Sequence, residues 1–267
     1  MPVGIGASYA YSLGHFDWII FPVICLCAVM IQITTNFFNE IYDAKRGADT
    51  EDRIGPPRGV IPARTMWVVT IFSLIVTFLT GLYLVSVSDW YILLIGIISL
   101  FFAWAYTGGP YPLAYKGLGD IFVLIFFGIV AVCGTFYIFT GYVDLDIFFV
   151  SIIPGLLSAN ILGVNNIRDI ETDKKVNKMT LAVRLGEKRS KILYEFNLGL
   201  VNSFQFGIAI GVGSWWHALP FATLPLMIIL IAKLKKAKGK DYNKLLTMSG
   251  GLLMLFGILQ IIGFIYA

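Results

Sequence analysis

Apolar runs of about twenty residues, separated by short polar or Gly/Pro-rich breaks, recur along almost the whole chain, near 16–43, 65–88, 90–107, 118–141, 146–168, 190–212, 215–233 and 244–266. A helix needs roughly 20 apolar residues to cross a hydrocarbon layer of about 30 Å, and in lipid only helices or closed barrels satisfy every backbone polar group. The pattern therefore predicts an all-α, polytopic membrane bundle with eight full crossings. A ninth, shorter run at 2–14 would rise only about 20 Å as a helix, so it reads as an incomplete first crossing. Composition agrees: 58% of the 267 residues are apolar and 13% are charged, where soluble domains carry roughly a quarter charged. No room remains for a large soluble domain, and the chain reads as one domain, 1–267. Cys25, Cys27 and Cys133 all lie in apolar runs and His15 and His217 are far apart, which leaves neither a disulfide framework nor a His/Cys metal site.

All 20 Lys and Arg fall in four places: 45–64, Lys116, 168–191 and 233–244. With nine crossings these lie on one side. The opposite connections carry Asp17, Asp89, Asp144 and Asp146 and no basic residue. The positive-inside rule places the basic face in the cytoplasm of a multi-pass cell-membrane protein. For Lys233, Lys235, Lys236, Lys238 and Lys240, orientation alone is a sufficient account.

Two of the basic clusters are also acidic. Residues 36–58 read NFFNEIYDAKRGADTEDRIGPPR, and Asn39 and Asp43 share one face of a helix's last turn before Gly47 and Gly55-Pro56-Pro57 break it. Residues 160–178 read NILGVNNIRDIETDKKVNK, where Asn165, Asp169 and Asp173 stand at i, i+4 and i+8 and are expected to form one polar stripe. Both segments repeat the spacing Asn-x-x-x-Asp, and both close crossings that run in the same direction. Paired carboxylates at one face invite a divalent cation; magnesium takes one or two protein carboxylates and completes its shell with water and substrate phosphate. Interleaved Arg and Lys offer donors to phosphate oxygens. The chemistry implied is the handling of a magnesium diphosphate whose apolar tail lies in lipid. The plainer account, Asp and Lys pairing at a solvated boundary, suits one such cluster better than two with the same spacing. A third segment, Tyr106 to Asp120 (YTGGPYPLAYKGLGD), makes a tight turn on the same side and brings Lys116 within reach of a diphosphate.

These motifs resemble the UbiA superfamily of intramembrane prenyltransferases. Within it NEIYDAKRGADTEDRIGPPR (39–58), YTGGPYPLAYKGLGD (106–120) and NNIRDIETDKKVNKMTLAVRLG (165–186) are similar to the 1,4-dihydroxy-2-naphthoate prenyltransferases of menaquinone synthesis, the MenA group. The resemblance implies nine transmembrane helices around a central cavity with cytoplasmic cap loops. It implies that Asn39, Asp43, Asp49, Asn165, Asp169 and Asp173 carry catalysis, that Asp43, Asp49, Asp169 and Asp173 hold Mg2+, and that Arg53, Arg58, Lys116 and Lys178 contact diphosphate. Tyr106 joins these as a substrate contact. So does Glu40, which stands where the family usually has Asp. The expected partners are a polyprenyl diphosphate, an aromatic acceptor and the lipid bilayer; nucleic acid is not among them. Other acceptors (4-hydroxybenzoate, homogentisate or a glyceryl phosphate) share the aspartate motifs. A secondary transporter, by contrast, places its ionisable residues near the midplane, whereas here nearly every charge but Glu195 falls at a helix end or in a loop.

Overall fold

The computed structural model describes residues 1–46 and 61–267, and among these every regular element is helical. In chain order they are α1 (Pro2–Ser12), α2 (Ile20–Lys45), α3 (Ala63–Val87), α4 (Trp90–Ala105), a 3-10 turn (Leu113–Lys116), α5 (Gly119–Thr140), α6 (Leu145–Arg168), α7 (Ile170–Lys175), α8 (Leu181–Leu185), α9 (Glu187–Val212), a 3-10 stretch (Trp215–Thr223) that runs into α10 (Leu224–Lys236), and α11 (Asp241–Tyr266). Among the described residues six helical segments are long and apolar enough to cross a membrane: α2, α3, α5, α6, the continuous stretch Trp215–Lys236, and α11. Two of the eight expected full crossings, and the shorter run at 2–14, fall short of that measure. α1 has 11 residues, α4 has 16, and α9 carries Lys191, Glu195, Asn197, Asn202 and Gln205 within the expected run. The expected crossing at 215–233 begins as a 3-10 helix because Pro220 lies inside its first turns and donates no backbone hydrogen bond.

The chain divides into two compact units. One comprises Met1–Asp17, Asp120–Asp169 and Leu185–Ala267; the other comprises Trp18–Gly119 and Ile170–Arg184. In the first unit α1 packs on α5 and α11, and its core joins Ile5 and Ala10 to Val132, Phe136, Ile147 and Phe264. Water is not the solvent here, so burying apolar area is a weak reason for helices to associate, and close approach at small residues matters more. α5 and α6 meet in this way. A Cβ on Gly128 would stand 2.6 Å from the Ser151 carbonyl oxygen, and one on Gly155 would stand 2.7 Å from that of Leu124. A π-helical turn at Ile125–Val130 surrounds Gly128. Gly155→Leu is therefore expected to lower stability by about 1–3 kcal/mol, read as a melting shift in detergent. Gly81→Ala, in α3 with open space beside it, serves as the comparison and is expected to be neutral or mildly stabilising. Equal effects of the two changes would contradict the packing account.

The second unit shows the inverted polarity of a lipid-immersed helix pair. α3 buries Thr70, Ser73 and Thr77 toward α2, and the Ser73 hydroxyl lies 2.8 Å from that of Thr34, while Phe72, Ile75, Phe78 and Leu79 on α3 face outward. Hydroxyls inside and branched or aromatic side chains outside are what a hydrocarbon surround selects.

Candidate functional site

The second unit gathers the first motif. α2 carries Asn39 and Asp43 on its last two turns. Asp43 is only 2% exposed; its Oδ1 accepts from the Tyr115 hydroxyl at 2.9 Å, and its Oδ2 accepts from Lys178 Nζ at 3.3 Å. Lys178 Nζ also lies 3.7 Å from Asp173 Oδ1, so one ammonium group is shared between two buried carboxylates. The chain reaches this arrangement through a left-handed residue. α7 ends at Lys175, Asn177 adopts φ +55°, and the Lys178 amide returns to the Asp173 carbonyl at 2.9 Å. Asn tolerates that conformation at a helix C-terminus better than most residues. The Met179 amide then bonds the Tyr115 carbonyl at 3.1 Å, which ties the 113–116 turn to the same place.

Cations surround the phenol ring. The Arg46 guanidinium stands 4.7 Å from the Tyr115 ring centroid and donates to the Gly109 carbonyl at 2.9 Å; Lys178 Nζ is 5.5 Å from the same ring. Burial, and then the neighbouring Asp43 charge, push the Tyr115 hydroxyl well above the usual phenol range, with Arg46 opposing. Tyr115 therefore remains a protonated donor at neutral pH. Beside it Thr107 Oγ1 donates to Asn39 Oδ1 at 2.7 Å, and Trp104 Nε1 donates to the Tyr42 hydroxyl at 3.0 Å. Gly108 makes this turn possible, since a Cβ there would stand 2.6 Å from the Trp104 carbonyl oxygen.

The remaining expected residues are placed as follows. Glu40 is half-buried on α2, and half-buried Tyr106 caps the end of α4, its carbonyl accepting from the Ala114 amide at 2.8 Å. Lys116 is exposed, with its ammonium 4.9 Å from the Tyr111 ring centroid. Asp49, Arg53 and Arg58 lie outside the described residues.

The polar stripe expected at Asn165, Asp169 and Asp173 is not one helical face. α6 stops at Arg168, Asp169 takes a non-helical φ, ψ of −97°, 9°, and α7 starts afresh at Ile170. The reason is local: Arg168 folds back on its neighbour, its Nε and Nη2 donating to the two Asp169 oxygens at 2.7 and 2.8 Å. The same guanidinium reaches Asn165 Oδ1 at 2.8 Å and Asn243 Oδ1 at 2.9 Å. Asn165 and Asp169 thus belong to an arginine-centred network in the first unit, and Asp173 belongs with Asp43 and Lys178 in the second. The sequence spacing gives no sign of Arg168 or Arg46 as partners. The visible signal for Tyr115 was its place in a Gly/Pro turn beside a lysine.

Among the described residues no group of three or more His, Cys, Asp and Glu gathers as a metal site. Asp43 and Asp173 nevertheless fit magnesium by donor chemistry. Both are buried hard-oxygen ligands converging on a single cation, and magnesium needs no more than two protein carboxylates when phosphate completes its shell.

The sequence matches the UbiA prenyltransferase family over residues 1–257. It is 35% identical over 235 residues to the 1,4-dihydroxy-2-naphthoate octaprenyltransferase of Haemophilus influenzae, covering 84% of this chain and 76% of that protein. The fold is similar to the apo UbiA homolog from Aeropyrum pernix K1, with a TM-score of 0.75 at 14% identity over 97% of this chain and 95% of that one. It is also similar to the UbiA homolog from Archaeoglobus fulgidus bound to GPP and Mg2+, with a TM-score of 0.63 at 17% identity over 100% of this chain and 96% of that one. The chain belongs to the UbiA prenyltransferase family.

Proposed function

We propose that this chain is a magnesium-dependent intramembrane prenyltransferase that joins the prenyl chain of a polyprenyl diphosphate to 1,4-dihydroxy-2-naphthoate with loss of carbon dioxide, a step of menaquinone synthesis. The observation that carries the acceptor is the 35% identity to a relative bearing that name, over 84% of this chain. The buried Asp43, Lys178 and Asp173 support the chemistry. The family match over 1–257 supports reading 1–267 as one catalytic domain, and the one-sided distribution of Lys and Arg supports nine crossings with the basic loops in the cytoplasm.

Asp43 and Asp173 are the buried carboxylates of the second unit that would hold magnesium; Asp49 and Asp169 are proposed with them from the sequence motifs alone. When bound, the ion supplies Lewis-acid stabilisation of the charge that develops on the departing diphosphate. The protein's own groups act beside it. Lys178 is a fixed ammonium between the two carboxylates, so it keeps them close without neutralising both. Tyr115, held protonated, orients the Asp43 carboxylate through its hydroxyl. Arg46 keeps a positive charge on the Tyr115 ring face and is a candidate diphosphate donor together with Lys178. Asn39, fixed by Thr107, presents its amide from the same helix turn. Preorganised charges of this kind are usually the largest contribution to such a reaction. The allylic carbon then bonds to the ring carbon that carries the carboxylate, and the C–CO2 bond breaks so that its electron pair restores the aromatic ring.

Incubation of the purified protein with Mg2+, geranyl diphosphate and a panel of acceptors, followed by mass analysis of the lipid product, tests the reading. Prenylated naphthalenediol lacking the carboxylate is the expected product. A clear preference for 4-hydroxybenzoate, homogentisate or a glyceryl phosphate would overturn the acceptor while leaving prenyl transfer standing.

A further inference from the structure

Within the first unit, α10 and α11 form an antiparallel hairpin that lines a half-open groove of ≈ 500 Å³. Its two walls are helix faces at i, i+3, i+4 spacing, from Ile229 to Lys236 on α10 and from Asp241 to Met248 on α11. Chemistry changes along its length. At one end Lys236 and Asp241 stand near the turn; Lys233 and Lys244 come next; at the far end the lining is Ile229 and Met248. Seven residues of helix separate Lys236 from Ile229, a rise of about 10 Å.

Three features distinguish this groove from a generic basic helix end. First, among the described residues no ion pair engages Lys233, Lys236 or Lys244, whereas Lys235 on the same helix pairs with Glu195 at 3.1 Å. Secondly, the acidic group at the mouth is already employed: Asp241 Oδ2 accepts from the Lys238 amide at 3.1 Å. Three ammonium groups against one carboxylate leave the lining with a net charge of about +2. Thirdly, Trp215–Lys236 and Asp241–Tyr266 are both of membrane-spanning length and apolarity, so the basic mouth lies at the membrane surface and the apolar end points into the hydrocarbon. A soluble anion would match the lysines and leave the apolar end unused.

We propose that this groove binds one anionic phospholipid, its headgroup phosphate held by Lys233, Lys236 and Lys244 and the start of an acyl chain lying between Ile229 and Met248. Basic pockets between transmembrane helices at a membrane surface recognise lipid headgroups in this way, each Lys contributing about a fivefold gain in retention. The proposal does not depend on the proposed reaction.

Native mass spectrometry of the full chain in detergent, with dioleoyl phosphatidylglycerol, dioleoyl phosphatidylcholine or inorganic phosphate as the probe, tests it. One retained phosphatidylglycerol per chain is expected, against little phosphatidylcholine. K233Q/K236Q/K244Q is expected to reduce retention about a hundredfold and K244Q alone about fivefold, with K235Q unchanged. Equal retention in wild type and K244Q, equal retention of the two lipids, or displacement by millimolar inorganic phosphate would each overturn the proposal, the last by indicating a soluble-anion site. The single variant removes one exposed charge, so the test does not depend on the triple variant folding.

Discussion

Asp43→Asn is expected to lower turnover by about two to three orders of magnitude while the melting temperature in detergent falls only slightly. The amide keeps the shape of the side chain, and its oxygen can still accept from the Tyr115 hydroxyl, which lies 2.9 Å from Oδ1 of Asp43. What it removes is one of the two carboxylate charges that converge on Lys178 and that are proposed to hold magnesium. Losing several kcal/mol of charge stabilisation at the leaving group corresponds to that rate factor. Rate constants from single-turnover assays, compared with melting curves of the same preparations, separate a chemical from a structural effect. A variant within threefold of the wild-type rate would reduce Asp43 to a structural boundary.

Lys178→Met is expected to lower stability strongly. Asp43 and Asp173 are both buried and share this one ammonium group, which is itself 9% exposed. Removing the cation takes the Lys178 partner from both buried carboxylates, and deleting one partner of a buried pair costs about 3–5 kcal/mol. Magnesium is expected to restore part of that loss, because the Lys178 ammonium no longer competes for the two carboxylates. The melting temperature of Lys178→Met should therefore rise more with added Mg2+ than that of the wild type. Wild-type stability in the variant, or an equal magnesium response in both proteins, would contradict a shared electrostatic cluster. This readout is independent of activity.

The helices were legible in the sequence to within a few residues, because apolar runs of this length have few alternatives in lipid. Expected boundaries at 65–88 and 146–168 became Ala63–Val87 and Leu145–Arg168. The residues that failed the reading are those where a local interaction overrides the period. Asn165, Asp169 and Asp173 share a 3.6-residue face on paper, yet Arg168 claims both oxygens of Asp169 and the helix ends there. Asp173 reaches Lys178 and Asp43 only because Asn177 turns through a left-handed conformation, and no hydrophobic pattern reports that. Tyr115 was visible as a residue but not as the partner of Asp43, since 72 positions separate them and spacing arguments act within one helix. Lys116, the more obvious cation of that turn, points instead toward the exposed Tyr111 ring. The π-helical turn around Gly128 also left no readable mark, although Gly128 and Gly155 are the small residues that close α5 on α6.

The central claim, prenyl transfer to 1,4-dihydroxy-2-naphthoate, rests on which bond of the acceptor breaks. Acceptors attacked at an unsubstituted carbon lose a proton and keep their carboxylate, whereas attack at the carboxyl-bearing carbon must expel it. The purified protein, Mg2+, a prenyl diphosphate and dihydroxynaphthoate labelled in its carboxyl carbon are sufficient for the measurement. The account predicts one labelled carbon dioxide released for each diphosphate released, with no label in the lipid product. Label retained in the prenylated lipid, or diphosphate released without labelled carbon dioxide, would contradict it.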